Sequence, residues 1–290
     1  MNFRLLPEPG FLRLNDVQSD SSRSEQATQI RLPLMFRFGL THYRDLIREL
    51  VLRDIRVRYK RSVLGFAWTL ANPLLYLVVF YFVFKMALEI NIPRFGVFAF
   101  TGIIVWNWFQ SSVAQSGAAI VGNRELVRSP GFPTDILPLV TVTSNLVNLL
   151  VALVVLAGYQ LTIGGGLESQ VLFLPVLIGV QFILILSIAY VVAGINVVFR
   201  DLGHLVVVVL QMMFFLTPIF YDASMIPEQY QTLYRLNPMV HIVEAYRSVL
   251  LGESGINWGA IGTIGVVSLV VLIFGRSIFM RHSYRFAEEI

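Results

Sequence analysis

The chain has 290 residues, 56% of them hydrophobic and only 14% charged, with a mean hydropathy of +0.70. A soluble domain carries about 25% charged residues, so composition excludes a soluble globular protein and points to an integral, polytopic membrane protein. The formal net charge is a modest +4 and cysteine is absent, which excludes disulfides, thiolate metal sites and cysteine nucleophiles; the arginines mark membrane topology, with no nucleic-acid partner implied.

Met1 to about Ile30 is polar and lacks an apolar run, so no cleavable signal peptide is expected. Residues 1–40 read as a disordered cytoplasmic tail, and residues 41–290 as one transmembrane domain. Its organising stretch is THYRDLIRELVLRDIRVRYKRSVLGFAWTLANPLL, starting at Thr41. Leu46, Ile47, Leu50 and Val51 share one helical face, with Arg44, Asp45 and Arg48 largely off it. Arg53, Arg56, Arg58, Lys60 and Arg61 stand just before the first charge-free run. Basic residues flanking a span mark its cytoplasmic side, so this stretch predicts an amphipathic interface helix feeding the first span, its cations near lipid phosphates.

Six spans are predicted, each near the roughly 20 residues that a crossing helix needs: about Leu64–Phe84, Val97–Ile120, Ile136–Ile163, Val171–Phe199, a short Leu205–Phe220, and Gly259–Met280. Asn72-Pro73 places a kink in the first. Six crossings put both termini in the cytoplasm. Arg124, Arg128, Arg200, Arg276, Arg281 and Arg285 then fall on the cytoplasmic side, and only Arg94, Arg235 and Arg247 outside. Lys85 sits where it can snorkel.

Two spans carry polar stripes. Asn107, Ser111 and Gln115 repeat at i, i+4, i+8, and Thr141, Asn145 and Asn148 at i, i+4, i+7. Each either lines a hydrated path or bonds to a neighbouring helix. Between the second and third spans, Gly122 to Pro133 holds a charged, helix-sized core, Asn123–Arg128, bracketed by Gly and Pro; it is either a docking element for a partner or a linker. After the fifth span, Pro218, Pro227 and Pro238 interrupt a segment too apolar for an ordinary loop, with Ile219, Phe220, Tyr221, Tyr230 and Tyr234. Pro218 to about Leu251 is therefore expected to form two short helices that re-enter the outer leaflet, with Glu244 and Arg247 spaced to pair in the second.

Absences narrow the function. Lys60 and Lys85 are the only lysines and neither follows a glycine, so a Walker A nucleotide loop is excluded. No Asp or Glu lies inside a predicted span, against an ion-coupled pump. His42, His204, His241 and His282 have no metal-ligand spacing. What remains is a multi-span protein that draws energy from a partner or conducts passively.

Arg53-Asp54-Ile55, Arg58-Tyr59-Lys60, Leu64-Gly65 ahead of Trp68 and Asn72-Pro73, Arg124-Glu125 with Pro130 and Pro133, Arg200-Asp201, Thr217-Pro218-Ile219-Phe220-Tyr221, and Asn237-Pro238 with Arg247 follow one another in an order and spacing that resembles the membrane subunit of ABC-type polysaccharide exporters, which move O-antigen, capsule or teichoic-acid chains. The resemblance runs from about Leu40 to the C-terminus. It implies an all-α homodimer of six-span subunits in the bacterial inner membrane, with an interface helix, a coupling helix and outer gate helices. Two separate ATP-binding-cassette subunits would hold ATP and magnesium, leaving this chain a non-enzymatic permease without cofactor or metal. The implied cargo is a glycan on polyprenyl diphosphate. Arg56, Arg58, Lys60 and Arg61 would meet the headgroup, and Trp106, Asn107, Trp108, Phe109, Ser111 and Gln115, with Thr141, Asn145 and Asn148, would line the path. Asn123, Arg124, Glu125, Arg128, Arg200 and Asp201 would meet the ATPase. Pro218, Phe220, Tyr221, Tyr230, Tyr234, Glu244 and Arg247 would form the gate. The rivals are a permease for a lipid or drug, and a membrane enzyme acting on polyprenyl phosphates, which would need clustered Asp or His that the sequence does not show.

Overall fold

A computed structural model describes residues 40–60, 65–87, 89, 92–162, 169–252, 255–283 and 286. Residues 1–39 of the expected tail, Arg61 and Arg285 lie outside the described residues. Leu46 to Ile290 forms one compact unit, and the chain through Asp45 groups separately.

The described residues are helical, with no strand among them. Helix α1 is Leu40–Tyr59, and on it Leu50 and Val51 are buried while Arg48, Arg53 and Arg56 are exposed. Helix α2, Trp68–Phe80, contains Pro73 and continues as a π-helical turn over Tyr81–Ala87. Helix α3 is Phe95–Ala118, α4 the five-residue Arg124–Arg128, α5 Ile136–Thr162 and α6 Leu174–Val198. Helices α7, Leu202–Phe215, α8, Glu228–Tyr234, α9, Pro238–Leu251, and α10, Trp258–His282, complete the chain.

Five helical stretches are long and apolar enough to cross a membrane: Trp68–Ala87, α3, α5, Ser169–Val198 and α10. The expected fifth span is the exception. Its helix α7 has 14 residues, about 21 Å at 1.5 Å per residue, and it ends where Thr217-Pro218 cannot continue the hydrogen-bond ladder.

Packing is uneven. Helix α3 is the hub, 78% of its apolar window buried, against α2, α5, α6, α7 and α9. Only 6% of the Trp68–Ala87 window is buried, so α2 leaves Val78, Val79 and Phe82 exposed, as α7 leaves Val208, Met212 and Phe215. Helix α10 lies along α6, where a Cβ on Gly275 would stand 3.2 Å from Val191 Cγ2 and one on Gly194 3.4 Å from Phe279 Cδ2.

Hydrogen bonds sort the helix ends into two groups. Asn196 Nδ2 donates to the Gly117 carbonyl at 2.6 Å and Tyr190 Oη to the Asp135 carbonyl at 2.9 Å. These bring the C-terminal parts of α3 and α6 to the start of α5, beside α4. At the opposite end, Arg94 donates to the Leu251 carbonyl and Gln160 to the Leu250 carbonyl, tying the start of α3 and the end of α5 to α9.

Gly275→Leu is expected to destabilise the folded protein by about 1–3 kcal/mol through overpacking. Gly262→Leu, where a Cβ meets nothing within 4 Å, is expected to be near neutral. Thermal unfolding of the two variants in detergent reads the difference.

Candidate functional site

At the α4 end, one cation joins both polar stripes. Arg58 Nη1 donates to Asn145 Oδ1 at 2.7 Å, and its Nη2 donates to Gln115 Oε1 and to Asp54 Oδ2, each at 2.9 Å. Asn145 Nδ2 closes the ring by donating to Gln115 Oε1 at 3.1 Å. The stripes thus serve as glue between α3 and α5 and as a dock for α1. The Arg58–Asp54 pair is partly exposed and follows helical i, i+4 spacing, so by itself it contributes well under 1 kcal/mol; the bonds to the buried Asn145 amide and the exposed Gln115 amide fix the geometry.

Further along the stripes, Asn107, Trp108, Ser111, Asn145 and Asn148 meet Thr69 and Pro73 of α2 around a slot of about 20 Å³, room for roughly one water and closed to a sugar chain in this conformation. Ser111 Oγ donates to Asn107 Oδ1, and Thr141 Oγ1 turns back onto the Leu137 carbonyl. Trp108 and Phe109 are buried; the Trp108 indole donates to the Val142 carbonyl at 3.3 Å. A larger groove of about 530 Å³ lies between α2, α3 and α7, lined by Tyr76, Phe80, Trp106, Asn107, Gln110, Gln211 and Phe214 among others. Trp106 there donates to Gln110 Oε1. Trp106 and Asn107 are the predicted path residues on this groove; Tyr76, Phe80, Gln110 and Gln211 belong to neither polar stripe and were not among them.

Of the other headgroup candidates, Arg56 and Lys60 are exposed on α1. Arg53 Nη2 donates to Asn123 Oδ1 at 2.7 Å, and Asn123 Nδ2 to the Ala119 carbonyl at 2.9 Å. Asn123 therefore links α1 to the entry of α4, whose Arg124, Glu125 and Arg128 point to solvent while Val127 is buried. Arg200 and Asp201 are exposed in the turn between α6 and α7, on the same end because Asn196 holds the Gly117 carbonyl.

At the opposite end, residues 216–251 form an interlocked unit. Thr217, Pro218, Ile219 and Phe220 are buried. Phe220 stacks on Phe80 with centroids 3.6 Å apart. Asn237 caps α9 by accepting from Met239 N and donates to Thr217 Oγ1 at 3.0 Å, with Pro238 at the helix start. Tyr234 Oη bonds to Tyr221 Oη at 3.2 Å, and Tyr221 Oη donates to the Phe215 carbonyl. Burial raises both phenols above the usual tyrosine range, so both stay protonated at neutral pH. With Tyr230 and Pro227 they line a cavity of about 510 Å³.

Arg247 is buried. Its guanidinium lies 3.3 Å from the centroid of the Phe98 ring, and it donates to the Ile219 carbonyl at 2.8 Å and to the Phe98 carbonyl at 3.3 Å. Sequence spacing suggested Glu244 as its partner; the guanidinium instead reaches across to α3 and to the break after α7, a placement that only tertiary packing sets. Gly102 makes room for it: a Cβ there would stand 3.0 Å from the Ile219 oxygen and 3.1 Å from Arg247 Nη2.

Asp135 and Arg276 were not grouped by sequence reasoning. Asp135 Oδ2 accepts from Arg276 Nη2 at 2.7 Å, with the Asp135 side chain 3% exposed. The signal was available: Arg276 falls inside the predicted sixth span, where a cation requires a partner, and Asp135 stands flush against the start of the third. Among the described residues no His, Asp and Glu cluster could hold a metal ion.

Arg247→Lys retains charge but cannot stack on Phe98 and fork to two carbonyls. It is expected to cost about 2 kcal/mol or more, as is Gly102→Val, which displaces the Ile219 backbone. Limited proteolysis within residues 221–237 and thermal unfolding read both losses.

Residues 45–251 match the family described as ABC-2 type transporter. The chain is 34% identical over 253 residues to the O-antigen export system permease protein RfbA of Myxococcus xanthus, covering 87% of this chain and 97% of that protein. It is 30% identical to the RfbA permease of Klebsiella pneumoniae, covering 89% and 99%. Similarity extends at 25% identity to the polysialic acid transport protein KpsM of Escherichia coli, covering 88% and 98%. With most of its length matched, apolar helices suited to crossing a membrane and permease subunits for relatives, the chain belongs to the ABC-2 type transporter membrane family.

Proposed function

We propose that this chain is the permease subunit of an ATP-driven exporter that moves a polyprenyl-diphosphate-linked polysaccharide of the O-antigen kind across a bacterial inner membrane. It works as a homodimer with two ATP-binding-cassette subunits, which carry ATP and magnesium. Both termini are cytoplasmic, α7 completes six crossings with the help of residues 216–220, and α8 and α9 re-enter the outer leaflet as a gate. The cargo class follows the O-antigen relatives over nearly their whole length. The excess of arginine at the α4 end supports the orientation.

The observation that carries the mechanism is Arg58 bridging Gln115 and Asn145 at the foot of both polar stripes. A diphosphate brings charge that neutral amides lack, and charge-assisted bonds are roughly twice as strong as neutral ones. A headgroup arriving along α1 draws Arg58 from the amides and exposes the stripe to the glycan. Arg56, Lys60 and Arg61 add to the attraction. The groove beside Trp106 and the exposed faces of α2 and α7 suit a pathway shared with a second copy, since apolar and aromatic surface with scattered amides guides a sugar chain without trapping it.

Because the chain has no cysteine, single cysteines report topology without background. Cysteine at Ser169 or Ser224 should react with an impermeant thiol reagent in intact cells, and at Ser129 only after permeabilisation; the reverse pattern would invert the orientation. Replacing Arg56, Arg58, Lys60 and Arg61 by Gln should lower export of the lipid-linked glycan by about 10- to 100-fold, from the loss of one or two charge-assisted bonds, while the ATPase stays bound. Normal export in a correctly inserted quadruple variant would remove the headgroup role.

A further inference from the structure

We infer that Asp135 and Arg276 are a positioning pair that carries movement of α4 into α6 and α10. The inference rests on the reading of α4 as the site where the ATPase docks.

The path from α4 to Asp135 has little slack. Ser129 N donates to the Leu126 carbonyl, Phe132 N to Ser129, Ile136 N to Pro133 and Leu137 N to Thr134, so turn follows turn from α4 into α5. Val127, Pro133 and Thr134 are buried along the way. A displacement of α4 therefore arrives at Asp135 as a displacement of the backbone.

Asp135 then has two outlets. Its carboxylate holds Arg276 of α10 at 2.7 Å, across 141 residues of sequence, and its carbonyl accepts from Tyr190 of α6 at 2.9 Å. The Tyr190 ring packs edge-on against Phe279, one turn beyond Arg276, with centroids 5.5 Å apart. Helix α10 lies mainly along α6, and Arg276 is its reach to the α4 loop. Asp135 is buried and Arg276 partly exposed; such a pair adds little to stability compared with a well-packed apolar pair, and what it supplies is a directional link whose buried carboxylate makes separating the charges costly. Neither residue faces the polar stripes or the groove beside Trp106, so the pair acts through α6 and α10 and never touches cargo.

The test uses the full complex of permease and ATPase in proteoliposomes, with ATP hydrolysis and glycan export measured together. Asp135→Asn and Arg276→Gln are each expected to keep the ATPase attached and hydrolysing while export per ATP falls at least tenfold. The exchange Asp135→Arg with Arg276→Asp is expected to recover a third or more of the ratio, which restored packing alone would not do. The apolar double variant Asp135→Leu with Arg276→Met preserves volume; if it assembles and exports normally per ATP, the pair is structural and the inference is overturned. Glu125→Arg separates this from the underlying reading. If it leaves the ATPase attached and export normal, α4 is no docking site and both fall. If it releases the ATPase while the Asp135 and Arg276 variants export normally per ATP, only the pair's role falls.

Discussion

Polar groups at membrane depth must find their partners inside the protein, because hydrocarbon offers none, and in this chain most of those partners lie on α3. Gln181 of α6 donates to the Val105 carbonyl, Asn196 to Gly117, and Arg247 of α9 to Phe98. The Trp108 indole leaves α3 for Val142 of α5. Each bond crosses between helices, and each is worth roughly 1 kcal/mol in such settings. Together with the burial of Phe98, Ile104, Trp106 and Phe109, they make α3 the fixed element and the others its satellites. Helices α2 and α7 hold few such bonds to it among the described residues and leave much of their apolar surface exposed.

The helix periods, the breaks and the special loops were all legible. Predicted span ends agree with helix ends to within a few residues for α3, α5 and α10 because unbroken apolar runs leave little choice. Thr217-Pro218 and Asn237-Pro238 announced the end of one helix and the start of another through proline's missing donor and fixed φ, whereas Pro73 stands inside the continuous helix α2. The polar stripes were visible as i, i+4 repeats, although not that Arg58 would lie across both: α1 sits 57 residues before Gln115 and 87 before Asn145, and no local rule spans that distance. Nor could spacing show that Arg247 prefers Phe98 to Glu244, since the choice depends on the notch at Gly102. The five-helix count has a physical reason: Pro218 ends α7 after 14 residues, short of the roughly 20 that a crossing helix needs.

The two ends of the molecule hold their arginines in different ways, and the difference bears on the direction of transport. Arg58 bonds to neutral amides and to a partly exposed aspartate, and in the proposed mechanism these partners are exchanged for a diphosphate with a net gain per bond of about 1 kcal/mol. Arg247 is buried against an aromatic ring and bonds to two backbone carbonyls, one on α3 and one at the break after α7. Moving it from this site breaks bonds of a buried guanidinium, at a cost nearer 1–3 kcal/mol for each one left unmade. The α4 end is therefore poised to respond to a ligand, whereas the Arg247 end resists until the helices beneath it move. In the proposed mechanism, a permease built so admits cargo on contact and releases it only under drive. That asymmetry fits an energy source coupled at α4, and it follows from where Arg58 and Arg247 found their partners.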